Sequence, residues 1–142
     1  MTTIAIASDH AGYEYKELLK SHLESNGFQV EDFGTHSAGA VDYPDVVRPA
    51  ADAVARGEHS LGVIVGGSGN EAIVANRIRG IRCAVVWNER TARLAKEHGD
   101  CNMIAIGQRL MSEEEAICLV DTWLAAEFKG GRHQKRIDKI DE

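Results

Sequence analysis

A chain of 142 residues, 44% of them hydrophobic, is long enough to bury one core and too short for two ordinary domains. Its net charge of −6 gives no summed field that would attract nucleic acid or an anionic membrane, and no apolar run approaches the roughly 20 residues needed to span a bilayer. Cys83, Cys101 and Cys118 are widely spaced and odd in number, which predicts a reduced, cytoplasmic protein whose cysteines pack rather than bridge.

In chain order, short runs rich in β-branched residues alternate with longer stretches of helical spacing. Strands are expected at Thr3–Ser8, Phe28–Phe33, Leu61–Val65, Arg82–Trp87 and Met103–Ile106, with apolar centres suited to burial on both faces. Helices are expected at Tyr13–Ser25, Asp45–Ala55, Glu71–Ile78, Glu89–Glu97 and Glu113–Glu127, with Gly27 and Gly57 capping the first two. This repetition predicts an α/β fold: a three-layer α/β/α sandwich of Rossmann-like type around a five-stranded parallel sheet. Residues 1–142 form one domain, and 128–142 form a basic arm that belongs to no strand-helix repeat.

Ligands of open α/β sheets bind where strand carboxyl ends meet helix amino termini. The first strand ends in Ser8-Asp9-His10-Ala11-Gly12, an acceptor beside a titratable donor; the plain alternative is a helix cap beside a solvated loop histidine. Before the second helix, Asp42-Tyr43-Pro44 offers a carboxylate and a phenol, or is simply a proline turn. The third strand runs into Gly66-Gly67-Ser68-Gly69-Asn70-Glu71, where backbone N–H groups can converge as an anion hole. Glu71 would stand beside it as a base, or would merely favour the helix dipole. The pattern Gly67-x-Gly69-x-x-Ala72 also fits a loose dinucleotide fingerprint, but it follows the third strand instead of the first.

Further along, His98 closes the fourth helix as a candidate proton shuttle or a dipole partner, and Arg109 follows the fifth strand. In the arm, Arg132 and Arg136 would share one helical face as a phosphate clamp, with His133 between them; a merely solvated basic end is the alternative. No histidine-carboxylate spacing suggests a metal. A phosphoacceptor receiver domain is excluded, because no acidic pair stands beside Asp9 and Arg109 occupies the place of its lysine.

Ser8-Asp9-His10-Ala11-Gly12, Asp42-Tyr43-Pro44, Gly66-Gly67-Ser68-Gly69-Asn70 with Ala75-Asn76, Gly80-Ile81-Arg82, His98, Gly107-x-Arg109 and Gly130-Gly131-Arg132-His133-Gln134-x-Arg136 together resemble the ribose-5-phosphate isomerase B family, which includes galactose-6-phosphate isomerase subunits. The resemblance spans essentially the whole chain. It implies interconversion of ribose 5-phosphate and ribulose 5-phosphate through an enediolate, without a cofactor or metal. Allose 6-, galactose 6- or tetrose 4-phosphate are alternative substrates, and a non-catalytic phosphosugar or nucleotide-binding module is the competing class. It also implies a homodimer, with a tetramer as the larger alternative, in which the arm of one subunit reaches the phosphate held by the other.

By the same resemblance, Glu71 is the base, because Gly66 occupies the position at which other members carry a cysteine. Ser68 assists proton transfer, and His98 opens the sugar ring with help from Asp42. Asp9 and Tyr43 contact the sugar, while Gly67, Gly69 and Asn70 form the anion hole. His10, Arg109, Arg132, His133 and Arg136 hold the substrate at its phosphate end. Two features depart from the family: Glu71 follows Asn70 directly, where glutamate-type members have an intervening glycine, and Gly99 replaces the usual asparagine. The first bears on the placement of the base, the second on which sugar is held.

Overall fold

A computed structural model describes residues 2–142. Five parallel strands, β1 (Thr3–Ser8), β2 (Gln29–Asp32), β3 (Leu61–Gly66), β4 (Cys83–Val85) and β5 (Met103–Gly107), form one sheet in the order β2-β1-β3-β5-β4. The helices are α1 (Tyr13–Ser25), α2 (Tyr43–Ala55), α3 (Ala72–Ala75), α4 (Glu89–Glu97), α5 (Glu113–Ala125) and α6 (Arg132–Ile137).

Right-handed crossovers dictate the layers. Leftward steps from β1 to β2 and from β4 to β5 put α1 and α4 on one face, where α5 joins them; the rightward steps put α2 and α3 on the other. Ile4, Ile6, Val63, Val65, Ile104 and Ile106 point to the first face and pack on Leu19, Leu23 and the fully buried Trp123. Ala5, Ala7 and Ala105 point to the second, against Ala50, Ala51, Ala72 and Ala75. That alanine layer lets α2 and α3 sit close to the sheet, because side-chain volume sets the interlayer distance.

The predicted strand-helix alternation is present, with differences that have local causes. α3 ends at Ala75 instead of Ile78, because Asn76 turns its amide to the β4 backbone, accepting from Cys83 N at 2.8 Å and donating to Cys83 O at 2.8 Å. β4 is an edge strand of three residues, and the Trp87 amide leaves the ladder to donate to Thr91 Oγ1 at 3.0 Å. α2 begins at Tyr43, with Pro44 in its first turn. Gly27 and Gly57 do cap their helices, at φ +90° and +79°. Cys83 and Cys101 are buried as expected, whereas Cys118 is exposed on α5.

Lys16 lies on the buried face of α1 with Leu19 and Leu23 and is itself fully buried. Its ammonium donates to both Asp32 oxygens, at 2.8 and 2.7 Å, and to Thr35 O at 2.6 Å. Burial would raise the Asp32 pKa, but the Lys16 hydrogen bonds, the Gly34 N–H and the charges of Lys16 and Lys20 together hold it below its ordinary value. Thr35 N donates to Ser8 O at 2.7 Å, so this pair ties the loop after β2 to the end of β1. Removing one partner of a buried pair leaves an uncompensated charge. Lys16→Met is therefore expected to cost about 3–5 kcal/mol in urea unfolding, and Lys16→Met/Asp32→Asn less than Lys16→Met alone.

Candidate active site

Chain direction reverses at β1 and β3, the central neighbours whose helices leave on opposite faces, so a crevice opens between their carboxyl ends. Asp9 and His10 enter it from β1 and Gly66–Glu71 from β3. The turn His10–Gly12 lies directly on β3: a Cβ at Gly12 would stand 2.2 Å from Val65 O. Asp9 caps that turn, accepting from Gly12 N at 3.1 Å through Oδ1, so its capping role is real and occupies one oxygen.

The Glu71 carboxyl folds back over the end of β3. A Cβ at Gly66 would lie 1.9 Å from Glu71 Oε1 and 2.2 Å from Oε2. Glycine at 66 is thus the condition for a carboxyl group at this place. Glu71 is 4% exposed and its Oε1 has no protein hydrogen-bond partner. Burial pushes its pKa up, and the nearby Asp9 charge adds to that, against the opposing pull of the Glu71 and Gly69 backbone N–H groups. The helix-dipole explanation is weak here, since α3 has only four residues. A buried, unpaired carboxyl of raised pKa in a crevice has the properties of a general base.

The other mouth residues lie on the neighbouring loops. His10 is exposed, and its Nδ1 accepts from Val41 N at 3.2 Å, which leaves Nε2 as the protonated, donating nitrogen. His10 lines an open hollow with Ala40, Val41 and Asp42. Asp42 takes the N-cap position of α2 without a side-chain cap bond, so its exposed carboxylate remains available, and Tyr43 follows it half-buried. Arg109 N donates to Gly67 O at 3.1 Å, and a Cβ at Gly67 would meet the Arg109 guanidinium at 3.1 Å and the Ala11 methyl at 3.4 Å. Arg109 therefore reaches across the β5 and β3 ends toward the His10 turn. It has no ion-pair partner among the described residues. Ser68 and Asn70 are exposed on the loop. Gly67 and Gly69 are buried in it, so the loop's backbone is packed while its two side chains face outward.

His98, Arg132, His133 and Arg136 are not at this mouth. α4 leaves the carboxyl end of β4 and runs back over nine residues, roughly 13 Å, so His98 sits at the amino-terminal end of β5. The arm is helical as required for Arg132 and Arg136 to share a face, and it docks at that same end. The His98 and His133 rings stack with centroids 4.4 Å apart and planes at 13°. Lys129 N donates to Glu97 O at 3.0 Å, and Gly80 N donates to Asp141 Oδ2 at 2.9 Å. Desolvation, then the charges of His98, Arg132, Arg136 and Lys129, hold the His133 pKa below its ordinary value.

Arg82, which carried no role in the sequence, also belongs to this second cluster. Among the described residues no three His, Cys, Asp or Glu side chains converge as metal ligands, and no helix is long and apolar enough to cross a membrane.

The contact between residues 66 and 71 can be tested directly. Gly66→Ala forces the Glu71 carboxyl out of its place and is expected to destabilise the fold by about 1–3 kcal/mol in denaturant unfolding. The same substitution made in a Glu71→Ala background should cost markedly less, because the colliding atoms are gone.

The Ribose/Galactose Isomerase family profile matches residues 4–140. The ribose-5-phosphate isomerase B of Mycolicibacterium paratuberculosis is 42% identical over 142 residues, covering 98% of this chain and 89% of the relative. That of Escherichia coli is 40% identical over 141 residues, covering 99% and 95%. The solved ribose-5-phosphate isomerase B of Clostridium thermocellum superposes with a TM-score of 0.97 at 45% identity, covering 99% of this chain and 95% of that one. The Mycoplasma genitalium enzyme, solved with bound ribulose-5-phosphate, superposes with a TM-score of 0.95 at 39% identity, covering 98% and 93%. With the sheet order, the crevice between β1 and β3 and these full-length matches in agreement, the chain belongs to the ribose/galactose isomerase family.

Proposed function

We propose that this chain interconverts ribose 5-phosphate and ribulose 5-phosphate, with Glu71 as the base that moves a proton between C2 and C1. The observation that carries the reading is the Glu71 carboxyl, buried over Gly66 with one oxygen unbonded and its pKa raised. Relatives named ribose-5-phosphate isomerase B, and the one solved with ribulose-5-phosphate, support the substrate.

In the open-chain aldose the C1 carbonyl acidifies the hydrogen on C2. Glu71 removes it, electron density moves onto the carbonyl oxygen, and the backbone N–H groups of Gly67, Gly69 and Asn70 stabilise the enediolate; losing one such donor typically costs about 2.7–4 kcal/mol. Returning the proton to C1 gives the ketose. Ser68 assists the accompanying proton transfer between the oxygens, and Asp9 and Tyr43 hold the sugar hydroxyls. His10, through its protonated Nε2, and Arg109 contact the phosphate.

The remaining residues enter from a second subunit. One chain carries the Glu71 crevice at the carboxyl ends of its strands and the His98–Arg136 cluster at the amino ends, so its own cluster does not reach its own crevice. We infer a homodimer in which each crevice receives the other subunit's His98 to open the sugar ring, assisted by Asp42, and its Arg132 and Arg136 to complete the phosphate grip, with His133 stacked behind His98. A net charge of −6 leaves the protein without a general attraction for phosphate, which makes this local cluster of cations necessary. A soluble cytoplasmic location accords with three free cysteines.

Purified protein should interconvert the two pentose phosphates in a coupled assay; turnover of allose, galactose or tetrose phosphate alone would move the substrate and keep the chemistry. Glu71→Gln should lower kcat by about 10²–10⁴-fold with KM little changed. The base must be ionised, so kcat/KM should rise with pH through a limb lying above the ordinary carboxylate value of 4.5, and that limb should be absent from the residual rate of Glu71→Gln.

The shared site makes its own prediction. Glu71→Gln and His98→Asn chains, each nearly inactive, should on mixing and exchange regain about a quarter of full activity, since half the dimers then hold one intact site of two. A mixture that stays inactive, despite subunit exchange shown by native mass spectrometry, would place each site within one chain.

A further inference from the structure

We infer that Arg82 is a positioning residue for His98 and that it acts on ring opening rather than on proton transfer between C1 and C2; the inference rests on the isomerase reading above. Arg82 directly precedes β4, and its side chain crosses to the turn that follows α4. Its Nε donates to Gly99 O at 3.0 Å and to Asp100 O at 3.2 Å, and its Nη2 donates to Asp100 O at 2.8 Å. The Asp100 carboxylate lies 3.8 Å away. Asn102 locks the base of the same clamp, accepting from Arg82 N at 2.9 Å and donating to Gly80 O at 2.9 Å.

The turn held in this way needs holding. Asp100 sits at φ +42°, a left-handed conformation that is unfavourable for a residue with a Cβ. At Gly99 a Cβ would fall 2.9 Å from Cys101 Sγ, so the turn is also compact. Without Arg82 the carbonyls of Gly99 and Asp100 would lose their donors, and the turn would be free to relax toward right-handed backbone. His98 stands at its head. The helix fixes the residue on one side, through His98 N donating to Leu94 O at 3.0 Å, and the Arg82 fork fixes it on the other. Trp123 Nε1, donating to Cys101 O at 3.2 Å, closes the turn against α5. Lysine cannot substitute, because a single ammonium does not reproduce a planar fork reaching two successive carbonyls.

Opening a furanose breaks the C1–O4 bond: the C1 hydroxyl gives up its proton, O4 gains one, and C1 becomes the carbonyl. A proton carrier must therefore meet the ring at a fixed place, and displacement by about 1 Å can cost about 10²-fold. Ribulose 5-phosphate has no such ring, and solvent exchange of its C1 hydrogen requires only Glu71 and the anion hole. The two reactions separate a defect in His98 placement from a general loss of structure.

The test uses the unaltered chain and its Arg82→Lys variant. Isomerisation of ribose 5-phosphate is followed in a coupled assay, and deuterium entry at C1 of ribulose 5-phosphate by proton NMR in D2O. Arg82→Lys should lower kcat for isomerisation about 10–100-fold while exchange stays within about twofold, retained exchange showing also that the variant is folded. His98→Asn should give the same split, and the double variant should be no slower than His98→Asn alone. Unchanged isomerisation in Arg82→Lys, a parallel loss of both reactions, or a further loss in the double variant would each overturn the assignment. If even the unaltered chain exchanged no C1 hydrogen, the isomerase reading itself would fall, a result distinct from any of these.

Discussion

The carboxyl group of Glu71 occupies the volume in which a Cβ of residue 66 would sit, and much of the site follows from that exclusion. β3 ends with its last residue stripped to a backbone atom, so an acidic side chain five positions later can fold back onto the strand end. There it is shielded from water, close to the Asp9 charge, and short of one hydrogen bond. Each condition disfavours the ionised form, and together they bring an ordinary carboxylic acid toward the proton affinity that carbon-acid chemistry requires. The Lys16–Asp32 pair supports this arrangement from the other strand. By holding Thr35 O it fixes the loop that bonds Ser8, and with it the Asp9-His10 turn on β3.

Parallel topology separates the functional groups along the sheet axis. Helices that follow strands start at the carboxyl ends, so loop residues after β1, β3 and β5 converge, while residues that end a helix are carried to the opposite edge. Glu71 and Arg109 belong to the first kind, His98 to the second. An arm that follows the last helix also begins at that opposite edge, and here it stays there, through the His133 ring and Asp141. The chain thus presents the Glu71 crevice at one end and a cationic cluster, with Arg132 and Arg136 exposed, at the other. The homodimer proposed above would, by two-fold pairing, use both ends of both copies.

How much of this is legible in the sequence depends on how local the cause is. β1, α1 and α4 occur at the boundaries expected, because apolar periodicity and caps such as Asn88 and Ser112 act within a few residues. The mouth residues Asp9, His10, Ser68 and Arg109 follow from strand ends alone. The shortening of α3 and β4 is not legible, since it comes from Asn76 and Thr91 side chains diverting backbone groups that periodicity assigns to a helix or a ladder. The position of His98 is legible from helix direction, since a residue that closes a helix is carried away from the carboxyl end of the preceding strand. Lys16 left only a faint signal, a cation on the same helical face as Leu19 and Leu23. The roles of Gly66 and Arg82 are invisible without coordinates, because each consists of contact with one distant group.

The loop from Gly66 to Glu71 is one glycine shorter than in the glutamate-type pattern. Gly69, at φ +89°, supplies the reversal, and Glu71 itself takes right-handed helical backbone as the residue before α3. The helix that follows has four residues, and the Glu71 carboxyl stays over the strand end. The cost falls on stability. A group whose folded-state pKa is raised binds its proton more tightly when folded, so its contribution weakens as pH rises from the ordinary value of 4.5 through the folded one. The fold carries that penalty at the crevice between β1 and β3, and destabilised groups of this kind cluster where function requires them.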